Sequence, residues 1–392
     1  MEKILFTNVF AEDARFYQQI LDRETGRYSL LPEWDGDQVR LMFFLENGRK
    51  AAFSRVRYSL RDDMEGKLRY RYETVDLATG EHREMFSKWD RSSFQMATIL
   101  PRSDGRFFVV TRHAYTDTHV YLVSFDGDDV EEIWHTKAYP YGFVQAKNGD
   151  LAFHTALFDE TDNPDGLYAI TTWDRNGRRR IVSEPGHLFF GPEWSPDETR
   201  LAFVDCTPGD DPGHLRGTVC VCNRDGSQFR RITPPGAHYF ATSYGRREEG
   251  GAMRQYGGRG SNWVQWMPEG KILYSRGSPG WHPDVKYDGS QRNHEELLYD
   301  EAASRGGCCL VEIDPDTGEE REITSPSEGQ WDIRASVRPD GAELLFVRRR
   351  NDDTAVICTL DRKTGEVREL TRGLGGLGAD QPGYLKTEYE IL

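Results

Sequence analysis

A unit of four short apolar runs separated by turns recurs along most of this 392-residue chain, and this repeat constrains the fold more than any other feature. Its clearest copy occupies residues 335–371. An apolar run at 344–347 follows a Pro339-Asp340-Gly341 turn, and a second run at 356–360 leads into the turn Asp361-Arg362-Lys363-Thr364-Gly365. Pro-Asp-Gly suits a tight reversal, and glycine supplies the positive φ that hairpin turns require. The copy therefore predicts four short antiparallel strands.

Seven copies can be aligned by their second-strand run and by the turn that follows the third strand. The second-strand runs are 4–6, 41–43, 107–110, 151–153, 201–204, 272–274 and 344–347. The N-terminal copy lacks a first strand, which the alternating segment 384–392 can supply. Repeats of this kind predict an all-β, seven-bladed β-propeller with four-stranded blades, closed by the C-terminal strand completing the N-terminal blade. The alternative fold is a β-sandwich or a pair of stacked sheets.

Two signatures of the repeat resemble those of a known family. Trp194-Ser195-Pro196-Asp197 and the Asp-x-x-Thr-Gly-Glu turns that begin at Asp76, Asp314 and Asp361 resemble TolB-like propeller repeats. The resemblance covers nearly the whole chain and implies one propeller domain over residues 1–392. Seven such blades without a signal peptide are similar to the oligogalacturonate lyases. That family consists of cytoplasmic propellers that cleave short uronate oligomers, using a divalent metal held largely by histidine and a basic residue.

One family motif is not matched in this chain. The lyases carry a His-x-His pair on a first strand, shortly before its turn. The corresponding positions here are Ser261 with Trp263, and Asp332 with Arg334. No family site residue is therefore transferred to this sequence.

The charge and the cysteines limit the classes of partner and the compartment. The formal net charge of −15 at pH 7 argues against nucleic acid and anionic membrane surfaces as main partners. No apolar segment is long enough to span a membrane, and residues 1–6 show no signal-peptide pattern. The six cysteines lack zinc-site spacing, and Cys220, Cys222 and Cys358 occupy third-strand positions. We therefore expect a cytoplasmic protein with reduced cysteines.

Extra residues are concentrated beside the sixth copy of the unit, in insertions at about 234–261 and 276–309. In a propeller, the loops that enter a blade and the loops between its second and third strands lie on one face, which usually holds the ligand. Both insertions are predicted to lie on that face. They mix aromatic residues, arginine, histidine and glycine, which suits stacking on sugar rings and bidentate binding of carboxylates. The alternatives are a solvated lid and an oligomer contact.

Candidate site residues come from these insertions and from other positions expected on the same face. Histidine can act as a base or bind a metal, and arginine presents a planar fork to carboxylates. The candidate catalytic residues are His238, His282 and His187. The candidate substrate-binding residues are Tyr239, Tyr244, Arg246, Arg247, Arg254, Trp263, Trp281 and Arg334. The candidate metal ligands are His154 and His294, for Mn²⁺ or Ca²⁺.

Together these features predict a carbohydrate-active protein, a lyase or related enzyme acting on an acidic, uronate-containing oligosaccharide or another small anionic ligand. The alternative is a non-catalytic TolB-like propeller that mediates protein–protein interaction. Large insertions at one blade favour a pocket, since a docking surface does not need them. A broad exposed apolar patch would favour docking instead.

Overall fold

The computed structural model describes most of the repeat units and short parts of the insertions. Every regular element in these ranges is a β-strand, so the described residues contain no helix that could cross a membrane. The described residues are 3–9, 16–22, 27–30, 37–46, 49–57, 70–76, 78–114, 117–156, 168–206, 216–240, 243–247, 253–257, 262–279, 285–288, 296–299, 306–350, 355–370 and 383–384.

The N-terminal residues form a four-stranded antiparallel sheet with a strand from near the C-terminus. The strand order β3-β2-β1-β33 comprises β1 (Lys3–Val9), β2 (Phe16–Asp22), β3 (Arg27–Leu30) and β33 (Gly383–Tyr384). β1 pairs with β33 through Ile4↔Tyr384 and Leu5↔Gly383. We predicted from the sequence that a C-terminal strand occupies this edge of the sheet. Residues 385–392 of the predicted strand lie outside the described residues.

The next three units are separate four-stranded antiparallel sheets, each paired in chain order. The β4–β7 blade comprises β4 (Asp37–Leu45), β5 (Lys50–Arg57), β6 (Tyr70–Asp76) and β7 (His82–Glu84). The β8–β11 blade comprises β8 (Gln95–Pro101), β9 (Phe107–Ala114), β10 (Asp117–Val123) and β11 (Val130–Thr136). The β12–β15 blade comprises β12 (Tyr139–Gln145), β13 (Leu151–Ala156), β14 (Tyr168–Trp173) and β15 (Arg179–Ile181).

The remaining units share one hydrogen-bonded sheet. The β16–β19 blade comprises β16 (Phe189–Trp194), β17 (Arg200–Asp205), β18 (Arg216–Asn223) and β19 (Arg230–Arg231). The β23–β28 blade comprises β23 (Gln265–Trp266), β24 (Ile272–Gly277), β27 (Cys308–Ile313) and β28 (Glu320–Glu322). The β29–β32 blade comprises β29 (Gln330–Val337), β30 (Glu343–Arg350), β31 (Ala355–Asp361) and β32 (Val367–Glu369).

A two-residue strand, β20 (His238–Tyr239), joins the first two of these blades. It pairs with β18 through Gly217↔His238 and with β24 through His238↔Arg276. A parallel contact between β27 and β29 continues the sheet into the β29–β32 blade. The β12–β15 and β16–β19 blades, by contrast, are joined among the described residues by one isolated bridge, Tyr168↔Leu188.

The predicted Asp-x-x-Thr-Gly turns are present and share one hydrogen-bonding pattern. In each turn the aspartate Oδ1 accepts hydrogen bonds from the backbone N–H groups two and three residues later, as Asp361 does from Lys363 (2.9 Å) and Thr364 (2.8 Å). These bonds stabilise the carboxylate, so they hold the pKa of Asp76, Asp314 and Asp361 below its usual value. Each turn also has a glycine at positive φ, as the sequence predicted: Gly80, Gly318 and Gly365.

The core consists of apolar side chains that alternate along the second and third strands. One cluster joins the β12–β15, β16–β19 and β23–β28 blades through Tyr168, Phe190, Val219 and Tyr274, all of them buried. Cys220, Cys222 and Cys358 are buried and not in disulfides, as predicted. Burial raises the pKa of the Cys222 and Cys358 thiols to about 12, so both are inert packing groups.

The insertions contain strands that the sequence did not predict. The first forms the hairpin β21 (Ser243–Arg247) and β22 (Met253–Gly257), and the second forms the hairpin β25 (Val285–Asp288) and β26 (Glu296–Tyr299). β22 lies beside β26, so the two insertions are neighbours, in agreement with their predicted common face. Local antiparallel pairing satisfies backbone groups of these four strands.

Candidate functional site

The first strands of neighbouring blades contact one another, and we call this row of strands the inner wall. β12 contacts β16, β16 contacts β23, and β23 contacts β29. The pairing register shifts in the middle of β12, β16 and β29. Such bulges redirect side chains at one level of each strand.

Four residues occupy equivalent positions at this level. Each lies the same distance along the chain before a left-handed turn residue: Gly142 before Gly149, Gly191 before Glu198, Trp263 before Gly270, and Arg334 before Gly341. We call these four residues the inner-strand positions. Gly142 and Gly191 have φ of 63°, and Arg334 has φ of 52°. Two blades thus use glycine at this level, one uses tryptophan, and one holds an arginine in a conformation that disfavours side chains.

The Trp263 ring fills the space that Gly191 leaves open, and His154 fills most of the space at Gly142. A Cβ added at Gly191 would lie 2.0 Å from Cε3 of Trp263, whereas one at Gly142 would lie 2.7 Å from Cε1 of His154 and 3.3 Å from Cη2 of Trp263. The indole also lies beside His154 and Phe240, with ring centroids 6.1 Å and 5.9 Å away. Trp263 is partly exposed, so part of this packed residue is accessible to solvent.

Tyr141 adds a second aromatic surface, which contacts His154 as Trp263 does, and it was missed by the sequence analysis. Its side chain is 48% exposed, and its ring packs edge-on against His154 at 5.4 Å. The Arg112 guanidinium lies 3.5 Å from the ring centre of Tyr139 and 5.9 Å from that of Tyr141. The available signal was glycine inside a first strand in Tyr141-Gly142, since such glycines mark bulges and close approaches.

Arg334 is a buried cation at the same level, and its backbone is fixed by Asn262. The Arg334 N–H donates to Asn262 Oδ1 (2.6 Å), and Asn262 Nδ2 donates to the Tyr239 carbonyl (2.5 Å). Asn262 is itself buried, so it connects β29 to the segment before β23. A non-glycine residue in left-handed conformation costs about 1–3 kcal/mol and persists where the surroundings impose it, frequently at functional sites.

His238 is completely buried, and both of its ring nitrogens contact backbone groups. Nε2 donates to the Asn262 carbonyl (2.9 Å), and Nδ1 accepts from the Ser275 N–H (3.2 Å). Burial lowers its pKa to about 4, against the weaker opposing effect of these backbone contacts. A neutral imidazole bonded at both nitrogens ties β20 to β24 and offers no lone pair to a substrate. The geometry gives this predicted catalytic residue a structural role.

His154 and Tyr239 are buried too. The Gly191 N–H approaches His154 Nδ1 at 3.5 Å, and burial with the nearby positive charge of Arg112 lowers the His154 pKa to about 3. The Tyr239 hydroxyl accepts a hydrogen bond from Arg349 Nη2 (2.9 Å). Both side chains are therefore buried packing groups next to the inner wall.

His187 belongs to a different set of contacts. Its Nδ1 lies 3.2 Å from Oδ2 of the buried Asp205, which also pairs with Arg231 at 2.9 Å. Arg231 pairs in turn with Glu184 at 3.0 Å. The structure therefore connects His187 to a charged group on the β16–β19 blade, whereas His154 and Trp263 pack together.

The other predicted site residues are described only in part or not at all. Tyr244, Arg246 and Arg247 lie on β21 and Arg254 lies on β22, where Arg246 pairs in register with Arg254. Their side chains are outside the described part of the structure. Trp281, His282 and His294 lie entirely outside the described residues, so their predicted roles stay predictions.

The inner wall does not fit the predicted metal site where it is described. His154 is the one predicted ligand described there, and it is surrounded by aromatic rings: Tyr141, Tyr168, Phe190 and Trp263. Among the described residues, the groups of three or more side chains that could hold a metal both lie on the β8–β11 blade. They are His113, Asp117 and His119, and His119, Glu132 and His135.

Similarity to known proteins is confined to structure. No protein-family model matches the sequence, and no curated protein is similar to it. The fold resembles a puromycin-hydrolysing peptidase of Mycobacterium tuberculosis, with a TM-score of 0.59 and 14% identity over 96% of this chain. This chain spans 54% of the peptidase, or about half of its length.

Other solved structures resemble it over most of their own length. An oligogalacturonate lyase from Vibrio parahaemolyticus has a TM-score of 0.53 at 14% identity, covering 93% of this chain and 84% of the lyase. An oligogalacturonate lyase in complex with manganese matches with the same TM-score. The β-propeller domain of the trilobed protease from Pyrococcus furiosus has a TM-score of 0.52 at 13% identity, covering 94% and 93%. TolB of Acinetobacter baumannii is also a neighbour, at a TM-score of 0.42.

These comparisons confirm the predicted resemblance to oligogalacturonate lyases at the level of fold. The protein is an all-β chain of four-stranded blades whose structural neighbours are β-propellers. At such low identity the neighbours carry no residue-level information about this chain.

Proposed function

We propose that the protein binds an acidic, uronate-containing oligosaccharide at its inner wall, and that its reaction is a lyase-type cleavage of that sugar. The observation that carries the proposal is the set of inner-strand positions. Gly191 admits the Trp263 ring from a neighbouring blade, Gly142 leaves room for His154 beside that ring, and a further blade holds Arg334 in left-handed conformation. An aromatic ring and an arginine with a fixed backbone therefore lie on adjoining blades.

The two groups match the two kinds of surface on a uronate sugar. The apolar face of a sugar ring packs on aromatic side chains, which Trp263 and the exposed Tyr141 provide. Its carboxylate is bound by a guanidinium, whose paired N–H donors fit two oxygens. Because Arg334 is buried, such a contact would be weakly screened by water and stronger than one at the surface.

A guanidinium also serves the proposed chemistry. Lyase cleavage removes the proton next to the carboxylate, after which the glycosidic oxygen leaves. That carbon acid is weak until the carboxylate charge is neutralised, and Arg334 would supply this positive charge. Neither the manganese of the neighbouring lyase structure nor any other metal is assigned to the inner wall, because His154 lacks partner ligands among the described residues.

A docking function has less support from the described surface. Large hydrophobic residues with more than a third of their area exposed there are Val130, Tyr141 and Ile181. They lie on three different strands, and two of those are outer strands. Isolated residues of this kind are normal on a protein surface and do not form the broad patch that a docking partner needs.

The binding proposal is tested by titrating the full chain with galacturonate trimers and with a neutral trimer of similar size. We expect the acidic trimer to bind preferentially, and Arg334→Gln to weaken that binding by about 10–100-fold through loss of charged hydrogen bonds. Release of the unsaturated product, followed by ultraviolet absorbance, reports cleavage in the same samples.

The matched control is Arg368→Gln, which alters an exposed arginine paired with Glu366 on an outer strand. It should bind the acidic trimer as the wild type does. The proposal would be contradicted if the wild type bound the neutral trimer as tightly as the acidic trimer. It would also be contradicted if both arginine variants lost the same affinity for the acidic trimer. Thermal unfolding of each variant separates loss of binding from loss of fold.

We also propose that the ring has seven blades and closes through β33. Support comes from the pairing of β1 with β33 and from the contact of β33 with β29. Deleting residues 383–392 would leave β1 as an unpaired edge, so we expect aggregation or loss of cooperative unfolding. A truncated protein that melts like the full chain would rule out this closure.

A further inference from the structure

A group of histidines and carboxylates lies on the β8–β11 blade, apart from the inner wall. It consists of His113 at the end of β9, Asp117 and His119 on β10, and Glu132 and His135 on β11. His119 Nε2 lies 3.1 Å from Asp117 Oδ1, and His119 Nδ1 lies 3.0 Å from Glu132 Oε2. His135 Nε2 lies 2.8 Å from the same Asp117 oxygen. Both carboxylates and His135 are accessible to solvent.

A bulge in the β9–β10 hairpin brings the first three of these side chains together. Asp117 pairs with Ala114, but Thr118 pairs with Arg112, so His113 is an extra residue in β9. Side chains alternate along a strand, and Asp117 and His119 therefore share one face of β10. The extra residue turns His113 toward that face, since a bulge re-aims the side chain it carries. The ligand atoms of all three residues lie within 4.8 Å of one another.

His119 contacts a carboxylate at each ring nitrogen. A neutral imidazole has one N–H, so it can donate to Asp117 or to Glu132 but not to both. If Nδ1–H donates to Glu132, the Nε2 lone pair faces the Asp117 oxygen. Both of these atoms are then electron-pair donors, so a cation is needed between them. A metal-binding histidine has this arrangement, with a carboxylate behind the ring and a ligand carboxylate in front.

Ring orientation separates the ligands from the supporting residues. The His113 and His119 rings are inclined at 49° with centroids 4.3 Å apart, so lone pairs in their planes can converge on one ion. The His135 ring instead stacks almost parallel on His119, at 12° and 4.0 Å. His135 Nε2 is already within hydrogen-bond distance of the Asp117 oxygen, so we assign His135 to support Asp117.

We propose that His113, Asp117 and Nε2 of His119 bind a divalent transition-metal ion, while Glu132 and His135 orient His119 and Asp117. Two imidazoles and one carboxylate suit Zn²⁺, Mn²⁺, Fe²⁺ or Co²⁺ and disfavour Ca²⁺ and Mg²⁺, which prefer all-oxygen sites. Three protein ligands leave at least one coordination position open. Since bonds to these metals are about 2.0–2.2 Å long, ligand atoms must lie about 3–4 Å apart, which requires only small side-chain rotations.

The competing interpretation is a surface ion-pair group in which a protonated His119 bridges the two carboxylates. It predicts similar contacts but no affinity for metal. Metal binding by the full chain therefore discriminates between the two, and it is independent of the proposed sugar site.

The experiment treats the full chain with a chelator, removes the chelator, and titrates Co²⁺ while recording visible absorption. Zn²⁺ competition and elemental analysis give the stoichiometry. We expect one Co²⁺ per chain, displaced by Zn²⁺. His119→Gln and Asp117→Asn should each weaken binding by more than about 100-fold. The positioning variant Glu132→Gln should weaken binding by about 10–100-fold while keeping the Co²⁺ spectrum.

The matched control is His82→Gln, since His82 is another surface histidine beside a carboxylate, with Nδ1 3.4 Å from Glu73 Oε2. This variant should bind Co²⁺ as the wild type does. Absence of a Co²⁺ spectrum in the wild type, unchanged binding by His119→Gln, or an equal loss in His82→Gln would overturn the proposal.

A second measurement needs only the wild type and decides the question if the variants do not fold. Fe²⁺ with ascorbate oxidises side chains close to a bound metal, and mass spectrometry locates the products. We expect oxidation at His113 and His119 in excess of that at His82, and suppression by Zn²⁺. Uniform oxidation of all three histidines would contradict a metal site.

Discussion

The histidines of the inner wall and those of the β8–β11 blade occupy opposite chemical environments. His154 and His238 are buried among aromatic rings and backbone groups, and burial lowers their pKa values to about 3 and about 4. His119 and His135 reach solvent and contact carboxylates. The comparison shows that partner groups and access to water decide what a histidine can do, whichever face of the fold it lies on.

The largest expected difference between the two regions is in stability. His238→Ala leaves the Ser275 N–H and the Asn262 carbonyl without their partner and opens a cavity, so the free energy of unfolding should fall by about 4 kcal/mol. His119→Ala, at a partly exposed site in metal-free protein, should cost about 1 kcal/mol or less. Urea unfolding of both variants measures the difference. Similar losses would show that the two environments do not differ as described.

A smaller effect is expected on the pH dependence of stability. Both buried histidines have lower pKa values in the folded protein than the ordinary value of 6.5, so the unfolded chain binds more protons below pH 6.5. Stability should therefore fall as the pH is lowered from 7 to 5, by about 2 kcal/mol for each histidine. The His154→Gln variant keeps one of the two buried histidines. Lowering the pH from 7 to 5 should therefore reduce its free energy of unfolding by about half of the loss that the two histidines cause in the wild type. A slope identical to that of the wild type would contradict the buried neutral state of His154.

The smallest expected effect concerns the packing of the inner wall. Gly191→Ala forces a side chain into left-handed conformation and against Trp263, whereas Gly149→Ala meets only the first penalty, because no atom lies within 4 Å of its added Cβ. We expect a loss of about 1 kcal/mol for Gly149→Ala and about 1–2 kcal/mol more for Gly191→Ala. Thermal unfolding of the two variants tests this, and equal losses would mean that the Trp263 ring is not held against Gly191.

The repeat units and their turns could be predicted from sequence because they depend on local residue types. Asp361 and Gly365 specify their turn through one side-chain oxygen and one positive φ, and both effects act within a few residues. The pairing of the N-terminal strand with a C-terminal one followed from counting strands. The insertion hairpins were missed because their alternation is short and irregular.

The candidate sites were harder to predict because they depend on contacts between distant residues. Nothing in the sequence around His238 shows that both ring nitrogens meet backbone from other segments. The group on the β8–β11 blade depends on a register shift that directs His113 toward Asp117 and His119. Trp263 and Arg334 were predicted as binding residues, but their relation to Gly142 and Gly191 emerges only when the first strands are placed side by side.

The short strand β20 has a mechanical consequence. It makes the main-chain hydrogen bonding continuous from the β16–β19 blade to the β23–β28 blade, whereas a single bridge, Tyr168↔Leu188, joins the β12–β15 and β16–β19 blades among the described residues. Relative sliding of the β16–β19 and β23–β28 blades breaks several backbone hydrogen bonds. Relative sliding of the β12–β15 and β16–β19 blades, the second junction, breaks far fewer. Of these two junctions, the second should therefore show the larger thermal breathing, and there Gly142 and Gly191 lie on its two sides, with the Trp263 ring packed against Gly191.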